Sequence, residues 1–379
     1  MIHLTRKGTR RWRGGHPWIF RTDVAQVAPT VVGGDLSVVL GHDGRALGVA
    51  AWSDRSEIAV RGTPIRSDEE PEAGWTRLVD EALDRRAGRP PCARLINGDS
   101  DGLPGLIVDR YGPGLSLQTL TQAADRRTEA LIAHLCARFS PTTVVLRNDP
   151  KVRAHEGLPT EKRVVRGEPE VEASIGSLTL RFDLLEGQKT GGFLDQTDNR
   201  LAAASFLRGE VLDCFCYDGG FGLQLARAGA DVTCVDSSGP ALARLQANAA
   251  RNALTVQTEE ANVFDLLRAF ERDGRAFDGV VLDPPAFAKS RKSADAGRRA
   301  YKEINLRALK LLRPGGRLVT CSCSAHMARA DFERVVAEAA ADAGRWVRVV
   351  ERRGAAPDHP TLLGAPETDY LKTLFVEVS

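Results

Sequence analysis

No apolar run in this chain of 379 residues approaches the roughly 20 needed to cross a bilayer. The N-terminus has no signal-peptide core, and the sequence shows no internal repeat and no low-complexity segment. A cytoplasmic protein that spans no membrane is the expectation. Net charge is almost absent too. The 52 Lys and Arg against 50 Asp and Glu leave +2, so affinity for a polyanion has to come from local patches. Cysteine is scarce and odd in number, seven in all, which reads as reduced thiols and not as a disulfide framework. Acidic residues are missing altogether from Met1 to Thr22, where six Lys or Arg are interleaved with Trp12, Trp18 and Phe20. A second basic cluster runs from Lys289 to Lys302. Either cluster alone is an ordinary solvated surface as readily as a binding site, but the two together point to a polyanionic partner.

Along the chain three segments separate. Residues 1–72 hold short β runs at Leu36 to Leu40, Ala46 to Trp52 and Ile58 to Val60, with turn chemistry between them, which predicts a small barrel. The acidic stretch Ser67 to Glu72 is the expected boundary. Residues 73–185 mix a helix from Trp75, a hairpin around Tyr111-Gly112-Pro113-Gly114, a helix at Thr128 to Phe139 and a second hairpin turning at Gly176, a small α+β domain. From 186 to 379 strands and helices alternate, as in a doubly wound, largely parallel α/β sheet that binds ligands at the carboxyl ends of its strands.

The first of those strands, Val211-Leu212-Asp213, runs into Cys214-Phe215-Cys216-Tyr217-Asp218-Gly219-Gly220-Phe221-Gly222 and opens a helix. Glycines there let backbone approach a ligand at a helix N-terminus. Asp236 ends the next strand, where a carboxylate can hold both hydroxyls of a ribose. Phe215 and Tyr217 stand where a dinucleotide fingerprint has glycines, which argues against tight pyrophosphate binding. Asn262, after the following strand, suits either an adenine edge or a turn.

Two further strand ends carry the chemistry. Val281-Leu282-Asp283-Pro284-Pro285-Ala286-Phe287 offers a carboxylate beside a slot walled by Pro284, Pro285 and Phe287, fitted to a planar base. Thr320-Cys321-Ser322-Cys323-Ser324 ends the next strand with two thiols spaced to share one face. Carbon 5 of cytosine is a poor nucleophile until a thiolate adds to carbon 6, so a thiol beside a carboxylate fits methylation of that carbon. Cys323 is the expected nucleophile, lying about 7 Å beyond Cys321 at roughly 3.3 Å per residue. The pairs Cys214/Cys216 and Cys321/Cys323 also suggest a four-thiolate metal site. A strand between them would hold the two ends roughly 10 Å apart, so no metal is expected.

These residues bring a resemblance that runs nearly end to end. Gly15-His16-Pro17-Trp18, Asp101-Gly102-Leu103-Pro104-Gly105, Glu186-Gly187-Gln188-Lys189-Thr190-Gly191, Leu194-Asp195-Gln196, Asp198-Asn199-Arg200, Val235-Asp236-Ser237-Ser238, Asp283-Pro284-Pro285 and Thr320 to Ser324 resemble the bacterial large-subunit ribosomal RNA cytosine-5 methyltransferases of the RlmI type. The resemblance implies a PUA-type RNA-binding barrel, a central domain and a class I methyltransferase domain using S-adenosyl-L-methionine, in a cytoplasmic homodimer. It also implies cofactor contacts at Asp213, Tyr217, Gly219, Asp236, Ser237, Asn262 and Asp283, and a lid over 189–195 with Lys189, Thr190, Phe193 and Asp195. Ala286 departs from the family in replacing a common lysine, and it removes the second thiol that other RNA cytosine-5 methyltransferases use for release. Asp218 and Asn262 depart too, standing for a small hydroxyl residue and an aspartate. Two alternatives stay open: N-methylation of an exocyclic amine, which needs no thiol, and a non-catalytic RNA-binding protein.

Overall fold

The computed structural model describes residues 1–288 and 293–379. Lys289, Arg291 and Lys292, which open the second basic cluster, lie outside the described residues. The chain divides into two compact units, one built from 1–174, 181–194 and 357–368, the other from 175–180, 195–356 and 369–379. This division does not coincide with boundaries at 72 and 185.

The first unit contains two sheets. Strands β1 (Ile2–Leu4), β2 (Trp18–Ile19), β3 (Val24–Val27), β4 (Leu36–Leu40), β5 (Ala46–Trp52) and β6 (Val60–Gly62) form a six-stranded sheet in the order β2-β6-β5-β4-β1-β3. Strands β7 (Cys92–Asn97), β8 (Leu106–Tyr111), β9 (Gly114–Thr119), β10 (Thr143–Asn148) and β11 (Glu161–Arg166) form a five-stranded sheet in sequential order. The acidic stretch is not a slack linker. Glu70 caps the helix Pro71–Arg85, its carboxylate accepting the amides of Glu72 and Ala73 at 3.1 and 2.6 Å, with Pro71 preset for the first turn. That helix buries Trp75, Leu78, Val79, Ala82 and Leu83 in one core with Leu36, Val49, Ala51 and Ile65 of the small β domain and Leu95, Val108 and Leu117 of the five-stranded sheet. A shared core is why residues on both sides of position 72 fall in one unit.

The N-terminal segment uses part of its chemistry internally. Lys7 pairs with Asp23, Arg13 with Asp43, and Arg21 donates to the carbonyls of Ser53 and Ser56. The Trp18 indole donates to Asp99 at 2.9 Å. Arg6, Arg10 and Phe20 remain exposed.

A hairpin of β12 (Glu170–Ile175) and β13 (Leu178–Asp183) precedes the largest sheet. Its seven strands are β14 (Glu210–Cys214), β15 (Asp231–Asp236), β16 (Gln257–Glu260), β17 (Phe277–Leu282), β18 (Leu312–Ser322), β19 (Val347–Arg353) and β20 (Lys372–Val378). Their order is β16-β15-β14-β17-β18-β20-β19, with β20 antiparallel to both neighbours and the other pairings parallel. Val211, Leu212, Val280, Val281 and Leu282 are fully buried, as expected of parallel strands covered on both faces. The strand order reverses at β14, and the ends of β14, β15 and β17 lie side by side there. β17 separates β14 from β18, so Cys214 and Cys321 sit on strands that are not neighbours, with Cys216 and Cys323 past the ends of those strands.

The helix before β18 runs from Ala294 to Leu311. It carries Gly297 in its first turns because a Cβ there would stand 2.9 Å from the backbone nitrogen of Ala288. Of the cations on it, Arg298 pairs with Asp331 at 3.3 Å and Lys302 with Asp342 at 2.8 Å, while Arg299 is exposed.

Candidate active site

The turn after β14 is tightly wound. Phe215, Tyr217 and Gly219 all have positive φ, at 61°, 49° and 87°, and two of the three are not glycine. Such strain persists only where surroundings hold it, and it concentrates at ligand sites. Here the holding groups are carboxylates. Asp236, ending β15, accepts the Tyr217 amide through Oδ2 and the Ser238 amide through Oδ1, both at 2.9 Å. Asp213 accepts the Gly222 amide at 2.8 Å through Oδ2, while its Oδ1 is buried without a partner. Asp283, one residue past β17, donates its amide to the Cys214 carbonyl at 3.4 Å and accepts from Gln196 Nε2 at 2.8 Å.

Asp213 is fully buried, and burial first, then the Asp283 and Asp236 charges, push its carboxyl up to about 8 against the Gly222 amide and the Arg200 guanidinium. Three acids around a strained backbone turn with an orphaned oxygen suit a ligand that carries positive charge. S-adenosyl-L-methionine, with its sulfonium and ammonium, fits that donor set.

Gly222 allows the packing behind the turn. A Cβ there would lie 2.4 Å from Cys234 Sγ and 3.0 Å from Asp213 Oδ2, both in buried residues. Gly222→Ala is therefore expected to cost about 1–3 kcal/mol, read as a lower denaturant midpoint at unchanged slope; an unchanged midpoint would show that the turn is slack.

The other expected contact residues are placed as follows. Asn262 is exposed and caps the helix Val263–Arg272, its Oδ1 accepting the Phe264 amide at 2.9 Å, so the turn role is the one its position supplies. Ser237 is exposed next to Asp236. Lys189, Thr190 and Phe193 belong to the first unit. There Thr190 is 1% exposed, and its hydroxyl donates to Asp109 at 2.6 Å and meets Tyr111 Oη at 3.0 Å, which ties it down instead of presenting it to a ligand. The Lys189 ammonium stands 4.7 Å from the Phe193 ring centroid. Asp195 is buried in the second unit, where Tyr370 Oη donates to it at 2.7 Å.

At the other strand ends the two thiols part company. β18 stops at Ser322, so Cys323 is not on the strand with Cys321 but one residue past it. Cys321 is 1% exposed, accepts from Thr373 Oγ1 at 3.4 Å, and is held well above the usual thiol range by burial. Cys323 is half-buried and lies 3.8 Å from the Pro284 carbonyl oxygen. Of the residues expected to wall a base, Pro284 is buried and Pro285 exposed. Phe287 is partly buried, its ring packing against Tyr301, Phe264 and Phe215 at the edge of the core, with centroids 4.9, 5.7 and 6.2 Å away.

Residues distant in sequence complete the arrangement. Gln196, which holds Asp283, accepts from Asn199 Nδ2 at 2.6 Å, and Asn199 in turn accepts from Arg353 Nε at 3.0 Å. Lys372 is 1% exposed and donates to the carbonyls of Ser324 and Tyr370 at 2.7 and 2.8 Å. Gln196 and Asn199 fall in stretches that carry the family resemblance, but nothing local in the sequence marks Lys372.

Comparison with known proteins places the chain. Residues 2–62 match the family model of the PUA-like domain, and residues 155–375 match that of the S-adenosylmethionine-dependent methyltransferases. Ribosomal RNA large subunit methyltransferase I of Shewanella amazonensis is 40% identical, covering 96% of this chain and 95% of its own. The protein of that name from Aeromonas hydrophila is 38% identical over 99% and 98%. Among solved structures, a candidate S-adenosylmethionine-dependent methyltransferase from Streptococcus mutans has a TM-score of 0.81 at 18% identity over 99% of each chain. A candidate methyltransferase complexed with SAH reaches 0.83, also at 18%, over the whole of both chains. At that identity the likeness shows the shared fold. This is an S-adenosyl-L-methionine-dependent enzyme with a PUA-like domain ahead of a class I methyltransferase domain, and the chain belongs to the ribosomal RNA large subunit methyltransferase I family.

Proposed function

We propose that the protein methylates carbon 5 of a cytidine in large-subunit ribosomal RNA, with Cys323 as nucleophile and Asp283 addressing the N3/N4 edge of the base. The observation that carries the reading is the contrast between the thiols. Cys323 is accessible beside the Asp283-Pro284 strand end, whereas Cys321 is sealed in the sheet. The names of the curated relatives support the ribosomal RNA substrate.

In this mechanism the Cys323 thiolate forms a bond to carbon 6, and the electron pair of the 5,6 double bond moves to carbon 5, which becomes nucleophilic. The cofactor supplies an electrophilic methyl group. Once carbon 5 is methylated, a base takes its proton, the pair left behind restores the double bond, and Cys323 departs as thiolate. Gln196, held by Asn199 and Arg353, fixes the Asp283 carboxylate before the base arrives, so its orientation costs little when the base binds. Exposed Arg6, Arg10 and Phe20 support RNA contact by the PUA-like domain, and the family resemblance supports a cytoplasmic homodimer.

Asp236→Ala tests the cofactor half. The loss of a carboxylate that holds two loop amides is expected to weaken S-adenosyl-L-methionine about 10- to 100-fold by calorimetric titration. Equal affinity in the variant would remove Asp236 from the site. For the reaction itself, ribosomal RNA from a deletion strain is methylated with purified enzyme and digested to nucleosides. Mass spectrometry is expected to show 5-methylcytidine, and an N-methylated nucleoside alone would overturn the proposal.

A further inference from the structure

A buried lysine with no role in the chemistry above sits against the candidate nucleophile. Lys372 opens β20 and pairs in register with Ser322, the residue before Cys323. Its ammonium has three hydrogens, and two are placed on the carbonyls of Ser324 and Tyr370, so Cys323 lies between a residue opposite Lys372 and one bonded to it. Ser324 is clamped a second time, its Oγ accepting the Ala288 amide at 3.1 Å and meeting Tyr301 Oη at 2.9 Å.

We propose that Lys372 is the positioning residue that makes Cys323 a nucleophile, its ammonium anchoring the Cys323-Ser324 backbone and supplying the positive charge that favours the thiolate. A buried ammonium is costly, and a hydrophobic packing residue at this strand position would remove that cost. Burial holds the Lys372 amine down at about 8, so below that value the charge is present, and the Cys323 charge acts on it in the opposite sense. Asp283, at the strand end beside Cys323, is the charge that opposes a thiolate there, and Lys372 has to outweigh it. Asp369 and Arg329 both act on Lys372 with opposite signs and pair with each other at 3.6 Å. Tyr301 and Cys321 interact with Cys323, and burial raises both above their usual ranges, so each stays neutral. Lys372 is the cation that remains beside the thiol among these groups.

The inference rests on Cys323 as the nucleophile, and its test separates the two. Alkylation of Cys323 by iodoacetamide is followed against pH by peptide-resolved mass spectrometry in the intact protein. The wild-type midpoint is expected below the ordinary thiol value of about 8.5. In Lys372→Met it is expected to rise by about one unit or more, and Lys372→Arg, which keeps the charge, is expected to recover most of the shift. A wild-type midpoint at or above the ordinary value overturns the proposal with no variant needed, as does an equal midpoint in folded Lys372→Met. A midpoint that depends on Lys372, together with full methylation by Cys323→Ala, overturns the nucleophile and with it the catalytic meaning of the pair. Loss of methylation in Cys323→Ala with a midpoint indifferent to Lys372 overturns the role of the lysine alone.

Discussion

RNA carrying 5-fluorocytidine at the target is expected to trap the enzyme as a covalent adduct visible on a denaturing gel, and Cys323→Ala is expected to abolish it. Fluorine at carbon 5 cannot leave as a proton, so the ring stays bonded to sulfur. The same variant is expected to lower the methylation rate at least about 1,000-fold, because the carbon 6 adduct has no other route. Cys321→Ala removes one buried sulfur and the acceptor of the Thr373 hydroxyl. It is expected to cost about 1 kcal/mol of stability and to leave methylation measurable. An adduct that survives in Cys323→Ala and vanishes in Cys321→Ala would exchange the two roles. Methylation persisting in the double variant would mean direct N-methylation with no thiol.

Asp213→Asn is expected to stabilise the ligand-free protein at pH 8 and to do little at pH 5. The folded Asp213 carboxyl sits at about 8, well above its unfolded value of 3.8. Its contribution to stability is thus fully present below 3.8 and is lost as the pH rises through about 8, because the unfolded chain has already released the proton. Asparagine keeps an acceptor for the Gly222 amide but has no proton to lose. From pH 5 to pH 8 the variant should therefore gain up to about 4 kcal/mol relative to wild type, at about 1.4 kcal/mol per pH unit, seen as a flatter dependence of unfolding temperature on pH. Cofactor affinity should move the other way, about tenfold weaker in the variant, since a cationic ligand favours the ionised carboxylate that the variant lacks. Parallel pH profiles for the two proteins would show that Asp213 is already ionised in the folded state.

What the sequence made legible follows from which signals are local. The parallel strands β14, β15 and β17 are short apolar runs closed by an acidic residue or its neighbour, and all three were readable with their end carboxylates. The helices Thr128–Phe139 and Gly222–Arg227 lie where the periodicity and the turn signals put them. Burial was harder to read. Asp213 and Thr190 are both enclosed, and sequence position at a strand end or a lid says nothing of what packs over it. Phe287 follows Asp-Pro-Pro, but its ring fills a gap among Tyr301, Phe264 and Phe215 that only the folded chain creates. Gln196 and Lys372 stand 87 and 48 residues from the groups they hold, Asp283 and the Ser324 carbonyl, and no spacing rule reaches so far.

The core that joins the small β domain to the helix Pro71–Arg85 and the five-stranded sheet sets a limit on how this architecture can be cut and recombined. Severing the chain after residue 72 would leave Leu36, Val49, Ala51 and Ile65 facing water, and a chimaera joined at the acidic stretch would graft an open hydrophobic wound onto its new host. The smallest block that keeps this core covered is the β domain with its following helix and the five-stranded sheet.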